Sequence, residues 1–209
     1  MNDLLKLTQW LSPAFPLGSY AYSHGLEWAI SAGDVRDADS LAEWLTDILD
    51  LGSGRADGTL LAAAHRGEDA MALADVAAAL APSKERWDET LAQGTAFSLA
   101  LGSLTGAPVP ACPFPIAVGV AARDLSLLTR DVTALYLHSF ASNLVSAAVR
   151  FVPLGQNAGQ RVLSGLHPLI TRIAGESVTA QVREIANSAL RGDMASMQHE
   201  HQDVRLFKT

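Results

Sequence analysis

From Thr90 to Ala122 the chain carries no charged side chain. A run of that length must either enter a bilayer or be buried by the rest of the molecule. A spanning helix needs about 20 consecutive apolar residues. Here Gly94, Gly102, Gly106, Pro108, Pro110, Pro113 and Pro115 interrupt the run, together with several serines and threonines. No unbroken apolar window survives, so the pattern predicts a buried central helix followed by a proline-rich crossing. Val132 to Val149 is also uncharged, but His138, Asn143 and three serines mark it as a core helix of a soluble protein.

Elsewhere helical periodicity dominates. Leu41, Trp44, Leu45, Ile48 and Leu49 fall at i, i+3, i+4, i+7 and i+8, which places them on one helix face. Ser40 and Glu43 have capping-box spacing at its start. Leu60–Arg66 and Asp69–Leu80 read as two alanine-rich helices, separated by Gly67 and closed by Pro82. A long helix starts at Ser83. Asp124 suits the N-cap of the next, which runs to about Phe151. The small residues Ser139, Ala141, Ser142, Ser146, Ala147 and Ala148 let neighbours approach that helix closely, which puts it at the bundle centre. Pro168 predicts a break near His167. Val178, Val182, Ile185 and Ala189 predict a last helix closed by Gly192. No segment alternates with period two. The expectation is one all-α bundle of roughly eight to ten helices over residues 1–192, followed by a tail over 193–209.

The 209 residues are 49% hydrophobic, enough for a sizeable core, and the net charge is −7. That balance argues against nucleic acid and against an anionic membrane surface. The lone Cys112 forms no internal disulfide, so a reducing cytoplasm fits, with a buried, inert thiol as the default. Met1–Lys6 lacks the basic start and long apolar run of a signal peptide. Gly52-Ser-Gly54 lacks the Lys-Ser/Thr of a phosphate loop, so a nucleotide would have to sit on a partner.

Two segments carry the functional reading. The first runs from Leu11 to Glu27 and sets Pro13, Pro16, Gly18 and Ser19 ahead of Tyr20, Tyr22, Ser23, His24, Gly25, Leu26 and Glu27. Ser23 beside His24 is no hydrolase elbow, since Gly-x-Ser-x-Gly is absent. Taken alone, these residues are a helix start whose aromatics pack inward, and Tyr22, His24 and Glu27 could form a hydrogen-bonded cluster. The second is Asp193–Thr209, which holds Met194, Met197, His199, Glu200, His201, Arg205, Leu206 and Phe207. Chain ends usually fray. Apolar side chains on such an end suggest a segment that orders on a partner.

The proline-rich turn followed by Gly-Ser-aromatic-x-Tyr-Ser-x-Gly-Leu-Glu resembles the signature of the UreF family of urease accessory proteins. Arg86, Glu89, Gln93 and Gly94 resemble that family's charged helix, and Leu144–Gln156 with Gln160 its central helix and following turn. The resemblance implies an all-α homodimer, not an enzyme, with no catalytic residues, no metal ligands and no cofactor of its own. It implies that nickel and GTP sit on partners: the chain would bridge UreD/UreH and the UreG GTPase on apo-urease, and would gate GTP turnover. Tyr20, Tyr22, Ser23, His24, Glu27, Met197, His199, Glu200, Arg205 and Phe207 are then the candidate partner-binding residues. Arg205 would make a directional carboxylate contact and Phe207 would be the apolar anchor.

Two other readings compete. One is a small helical metallohydrolase using His24, Glu27, His199 and His201. Imidazole suits nickel, but a His-x-His pair is not His-Glu-x-x-His. The other is an interaction module with no link to nickel. His138 and His167, within apolar helical patterns, read as satisfied core histidines, and His65 as a residue near a helix end.

Overall fold

The computed structural model describes residues 1–209 and contains no β-strand. The helices are α1 (Asn2–Trp10), α2 (Leu26–Ser31), α3 (Ala38–Asp50), α4 (Ser53–Arg66), α5 (Ala70–Leu80), α6 (Lys84–Thr105), α7 (Phe114–Ala122), α8 (Thr129–Phe151), α9 (Gln156–Gly165), α10 (His167–Ser177) and α11 (Leu190–His199). Short 3-10 turns at Ser19–Ala21 and Val182–Glu184 complete the chain. Ten α-helices have nine residues or more and α2 has six, so the all-α expectation holds.

α8 occupies the centre, in contact with α2, α3, α4, α7, α9 and α10. It is the one helix long and apolar enough to cross a bilayer, yet half of its apolar window is buried inside the bundle. Its small residues do what their size allows: Ala141, Ala147 and Ala148 are fully packed. An aromatic chain then ties four regions together. Trp10 and Phe15 meet Phe97 at 6.1 and 5.9 Å, Phe97 meets Phe114 at 5.7 Å, and Phe114 meets Tyr136 at 5.5 Å. Ring centroids at these separations add attraction beyond area burial. Cys112 is buried, which pushes its thiol up to about 11.

Several sequence signals act as written. The α3 stripe is buried. Gly67 takes a left-handed conformation at the end of α4, Ser83 caps α6, and the chain breaks at Leu166 just before Pro168. Three differ. The capping box of α3 is Asp37 with Ser40, because the Asp37 carboxylate accepts the Ser40 amide while the Ser40 hydroxyl accepts the Asp37 amide. α8 begins at Thr129 after an extended Leu128, five residues beyond Asp124. The uncharged run holds a second helix, α7, beyond its proline-rich crossing.

The largest difference lies near the C-terminus. Residues 178–189 are not the last helix, which is α11. The Arg66 guanidinium donates to the carbonyls of Ser177, Val178 and Ala180, taking acceptors that a continuing helix would use. Gly192 lies within α11 against Ile48, where a Cβ would come within 2.3 Å of Ile48 Cδ1. α11 therefore spans the 192/193 position.

Candidate functional site: the clamp of the C-terminal segment

The Leu11–Glu27 segment lies across α8 and is held there by that helix's uncharged polar groups. Ser139 Oγ donates to the Leu11 carbonyl at 2.7 Å, and Asn143 Nδ2 to the carbonyls of Ser19 (3.0 Å) and Tyr22 (3.3 Å). Arg150 adds a bond to the Tyr20 carbonyl. The chain then turns through two left-handed residues, His24 (φ 62°) and Gly25 (φ 75°), directly into α2. A left-handed His costs about 1–2 kcal/mol, so other contacts must hold it. Gly25 packs closely against α11: a Cβ there would sit 2.7 Å from the Ser196 nitrogen.

This turn aims Glu27 at the C-terminal segment. The Glu27 carboxylate, buried on α2, accepts the backbone N–H groups of Leu206 and Phe207, each at 2.9 Å, and faces His199 Nε2 at 3.2 Å. His199 is fully buried on α11, and its Nδ1 faces Glu85 Oε2 on α6 at 2.7 Å. Both ring nitrogens therefore point at carboxylates, and both contacts are hydrogen bonds together only when each nitrogen carries a hydrogen. Arg205 closes the set by donating to the other Glu85 oxygen. Glu200 accepts the Glu85 amide at 3.1 Å in the first turn of α6. Main-chain bonds continue the clamp, from Lys208 N–H to the Ala21 carbonyl and from Ser23 N–H to the Thr209 carbonyl, both 2.7 Å. Phe207 packs on Phe151 at 5.1 Å with the Arg150 guanidinium 4.9 Å above its ring.

A second buried network lies beside the first. Glu89 of α6 receives Arg86, Gln93 at 3.0 Å, the Thr209 hydroxyl at 2.7 Å and His24 Nδ1 at 3.1 Å. Burial pushes the Glu89 carboxyl up, but the Arg86 charge, His24 and the Thr209 hydroxyl outweigh it and hold the group at about 2. Burial, then the charge of Arg86, lowers His24 to about 4, so the ring is neutral at pH 7. Its Nδ1–H then serves Glu89, and Nε2 is a buried acceptor without a partner. Two cavities, of about 60 and about 40 Å³, share the lining residues His24, Asp57, Arg86 and Thr90. Asp57 accepts the Tyr136 hydroxyl at 2.9 Å, and burial raises its carboxyl to about 6.

Of the residues singled out in the sequence, the structure brings Ser23, His24, Glu27, His199, Glu200, Arg205 and Phe207 into these two networks. Tyr22, Ser23, His24, Glu27, His199 and Phe207 are buried within the chain itself. Tyr20 (67% exposed) and Met197 (47%) face solvent. Glu85, Asp57 and Thr209 belong to the networks with no local sequence signal beyond their charge or polarity. Arg86, Glu89 and Gln93 do carry one, at i, i+3 and i+7 of a helix. The metallohydrolase arrangement does not form: His24 binds Glu89, His199 lies between Glu27 and Glu85, His201 is exposed, and no group of three His, Cys, Asp or Glu side chains is set to hold a metal.

Fold and site together define an all-α protein, a helical bundle whose buried charged groups grip its own C-terminal segment. Sequence comparison gives the family. The UreF family model matches residues 35–167. The urease accessory protein UreF of Cereibacter sphaeroides strain KD131 is 60% identical over 206 residues, covering 99% of this chain and 98% of that protein. The UreF of Dinoroseobacter shibae is 48% identical, covering 98% of each chain, and that of Rhodopseudomonas palustris strain BisA53 is 42% identical, covering 99% and 93%. The chain belongs to the UreF family of urease accessory proteins, which are chaperones and not enzymes.

Proposed function

We propose that this chain is the adaptor of a cytoplasmic urease-maturation complex. As a homodimer it bridges UreD/UreH and the UreG GTPase on apo-urease, and it gates GTP turnover during nickel insertion. Nickel is cargo and GTP a partner's ligand, so the chain needs no cofactor of its own. One observation carries the reading. With the inner face of α11 fixed by Ala195, Ser196 and His199, its outer face presents Leu190, Met194 and Met197 at 70%, 60% and 47% exposure. These fall at i, i+4 and i+7, one continuous apolar stripe. Such a stripe on a surface helix marks a protein-docking face, and the clamped segment adds exposed Val204 and Leu206.

The test is co-purification of the tagged chain with UreD and with UreG, using Met194→Asp/Met197→Asp. Both side chains are exposed, so the fold should persist by circular dichroism while capture of at least one partner is lost. Retention of both partners by the folded double variant would overturn the docking face. Truncation after Gly192 is a poor substitute, because it removes the buried half of α11.

A further inference from the structure

Outside the clamp, two histidines that the sequence places 29 positions apart meet on the surface. His138 projects from α8 and His167 opens α10, just past the break at Leu166. Their ring centroids lie 5.3 Å apart with the planes tilted by 44°. Neither is the buried core histidine expected of its pattern, since His138 is only partly buried and His167 is exposed. His138 is half-buried and lines a recess of about 240 Å³ with Ser12, Ser139 and Ser142; His167 is exposed.

We propose that His138 and His167 form an open two-imidazole site for a borderline divalent transition cation such as Zn²⁺, Ni²⁺ or Cu²⁺. Geometry is the first support. A metal–nitrogen distance of about 2.1 Å places a ring centre about 3.2 Å from the ion, so two rings subtending about 110° have centres about 5.2 Å apart. The observed centroid spacing of 5.3 Å matches, and the exposed position of His167 leaves that side of the pair open to solvent. Chemistry is the second. Imidazole is the side chain that suits these cations. No third His, Cys, Asp or Glu joins the pair. The remaining coordination positions are therefore open to water, and the ion exchanges readily instead of residing permanently. Bound there, it would join α8 to α10 across the break. The inference does not depend on which partners the adaptor binds.

The experiment titrates the full-length chain with ZnCl₂, NiCl₂ and CuCl₂ separately by calorimetry. Imidazole ¹⁵N spectra under Zn²⁺ identify the ligands. One site is expected, tightest for Cu²⁺, with the His138 and His167 resonances shifting together. H138Q and H167Q should each lose on the order of tenfold or more in affinity, and H201Q should not. Binding by H167Q equal to wild type, or a Zn²⁺ response at His201 with none at His138 and His167, would overturn the site. Because position 167 is exposed, H167Q decides the matter even where H138Q fails to fold.

Discussion

Glu27→Gln isolates the clamp, because it changes the charge of one buried group and almost nothing of its shape. The carboxylate accepts from the amides of Leu206 and Phe207 at 2.9 Å and faces His199 Nε2 at 3.2 Å. Hydrogen bonds to an ionised acceptor contribute about 1.5–3 kcal/mol each, against about 0.5–1.5 for neutral pairs. Glutamine keeps one carbonyl oxygen but turns an NH₂ toward donors, and an orphaned buried N–H costs about 1–3 kcal/mol. Together the loss is about 3–5 kcal/mol, the range found when one partner of a buried ion pair is removed. What still holds the segment is the burial of Phe207, which contributes about 2 kcal/mol, together with the Arg205–Glu85 pair and the bonds that Lys208 and Thr209 make to Ala21, Ser23 and Glu89. The damage therefore falls on local opening of residues 200–209 and leaves the bundle core intact. A shift of about 3 kcal/mol is on the order of a hundredfold in the opening equilibrium. The assay is amide hydrogen exchange at Leu206 and Phe207, the two donors themselves. The expected result is a drop in protection of that size with the α8 amides unchanged. Protection within a factor of about three of wild type would refute the argument that Glu27 fastens the C-terminal segment.

Two further substitutions test the turn and the buried polar interior. Gly25→Ala places a Cβ 2.7 Å from the Ser196 nitrogen and a side chain at φ 75°, so it should destabilise by about 2–4 kcal/mol; an unchanged thermal midpoint would show that α11 can shift away freely. Asp57→Asn tests pH linkage. Folding raises the Asp57 carboxyl from 3.8 to about 6. Its contribution is thus most favourable below pH 3.8 and is lost as pH rises through 6, a cost of up to about 2–3 kcal/mol at pH 8. The variant should gain stability to urea at pH 8 and not near pH 4. His24 acts in the opposite sense: its value falls from 6.5 to about 4 on folding, so stability present above pH 6.5 is lost as pH falls toward 4. Without Asp57 to offset it, the acid limb of the variant should be steeper than that of wild type.

Helix content was legible because it is a local property. The α3 stripe, Gly67, Ser83 and Pro168 each act over a few residues, through side-chain periodicity, left-handed backbone, capping or a missing N–H. The capping error at Ser40 is also local: a better cap, Asp37, lay three residues upstream. The error over 178–189 is of another kind. Its apolar spacing suits a helix, but Arg66, 111 to 114 residues earlier, takes the carbonyls a helix would need. No window around residue 180 contains that arginine.

The candidate site divides in the same way. Sequence by itself determined the all-α class, the two chemically unusual segments and their likeness to one family, because composition, periodicity and motif are properties of order along the chain. Only the tertiary structure decided what those segments do to each other. His199 meets Glu27 across 172 positions and Glu85 across 114. A segment that reads as a loose, sticky end is instead held along signature residues 21–23 by backbone bonds, with Phe207 buried and the apolar stripe of α11 left outside. The physical reason is that desolvated charges need partners, and those partners are supplied by whichever distant side chains the packing of α2, α6 and α11 brings within hydrogen-bond reach.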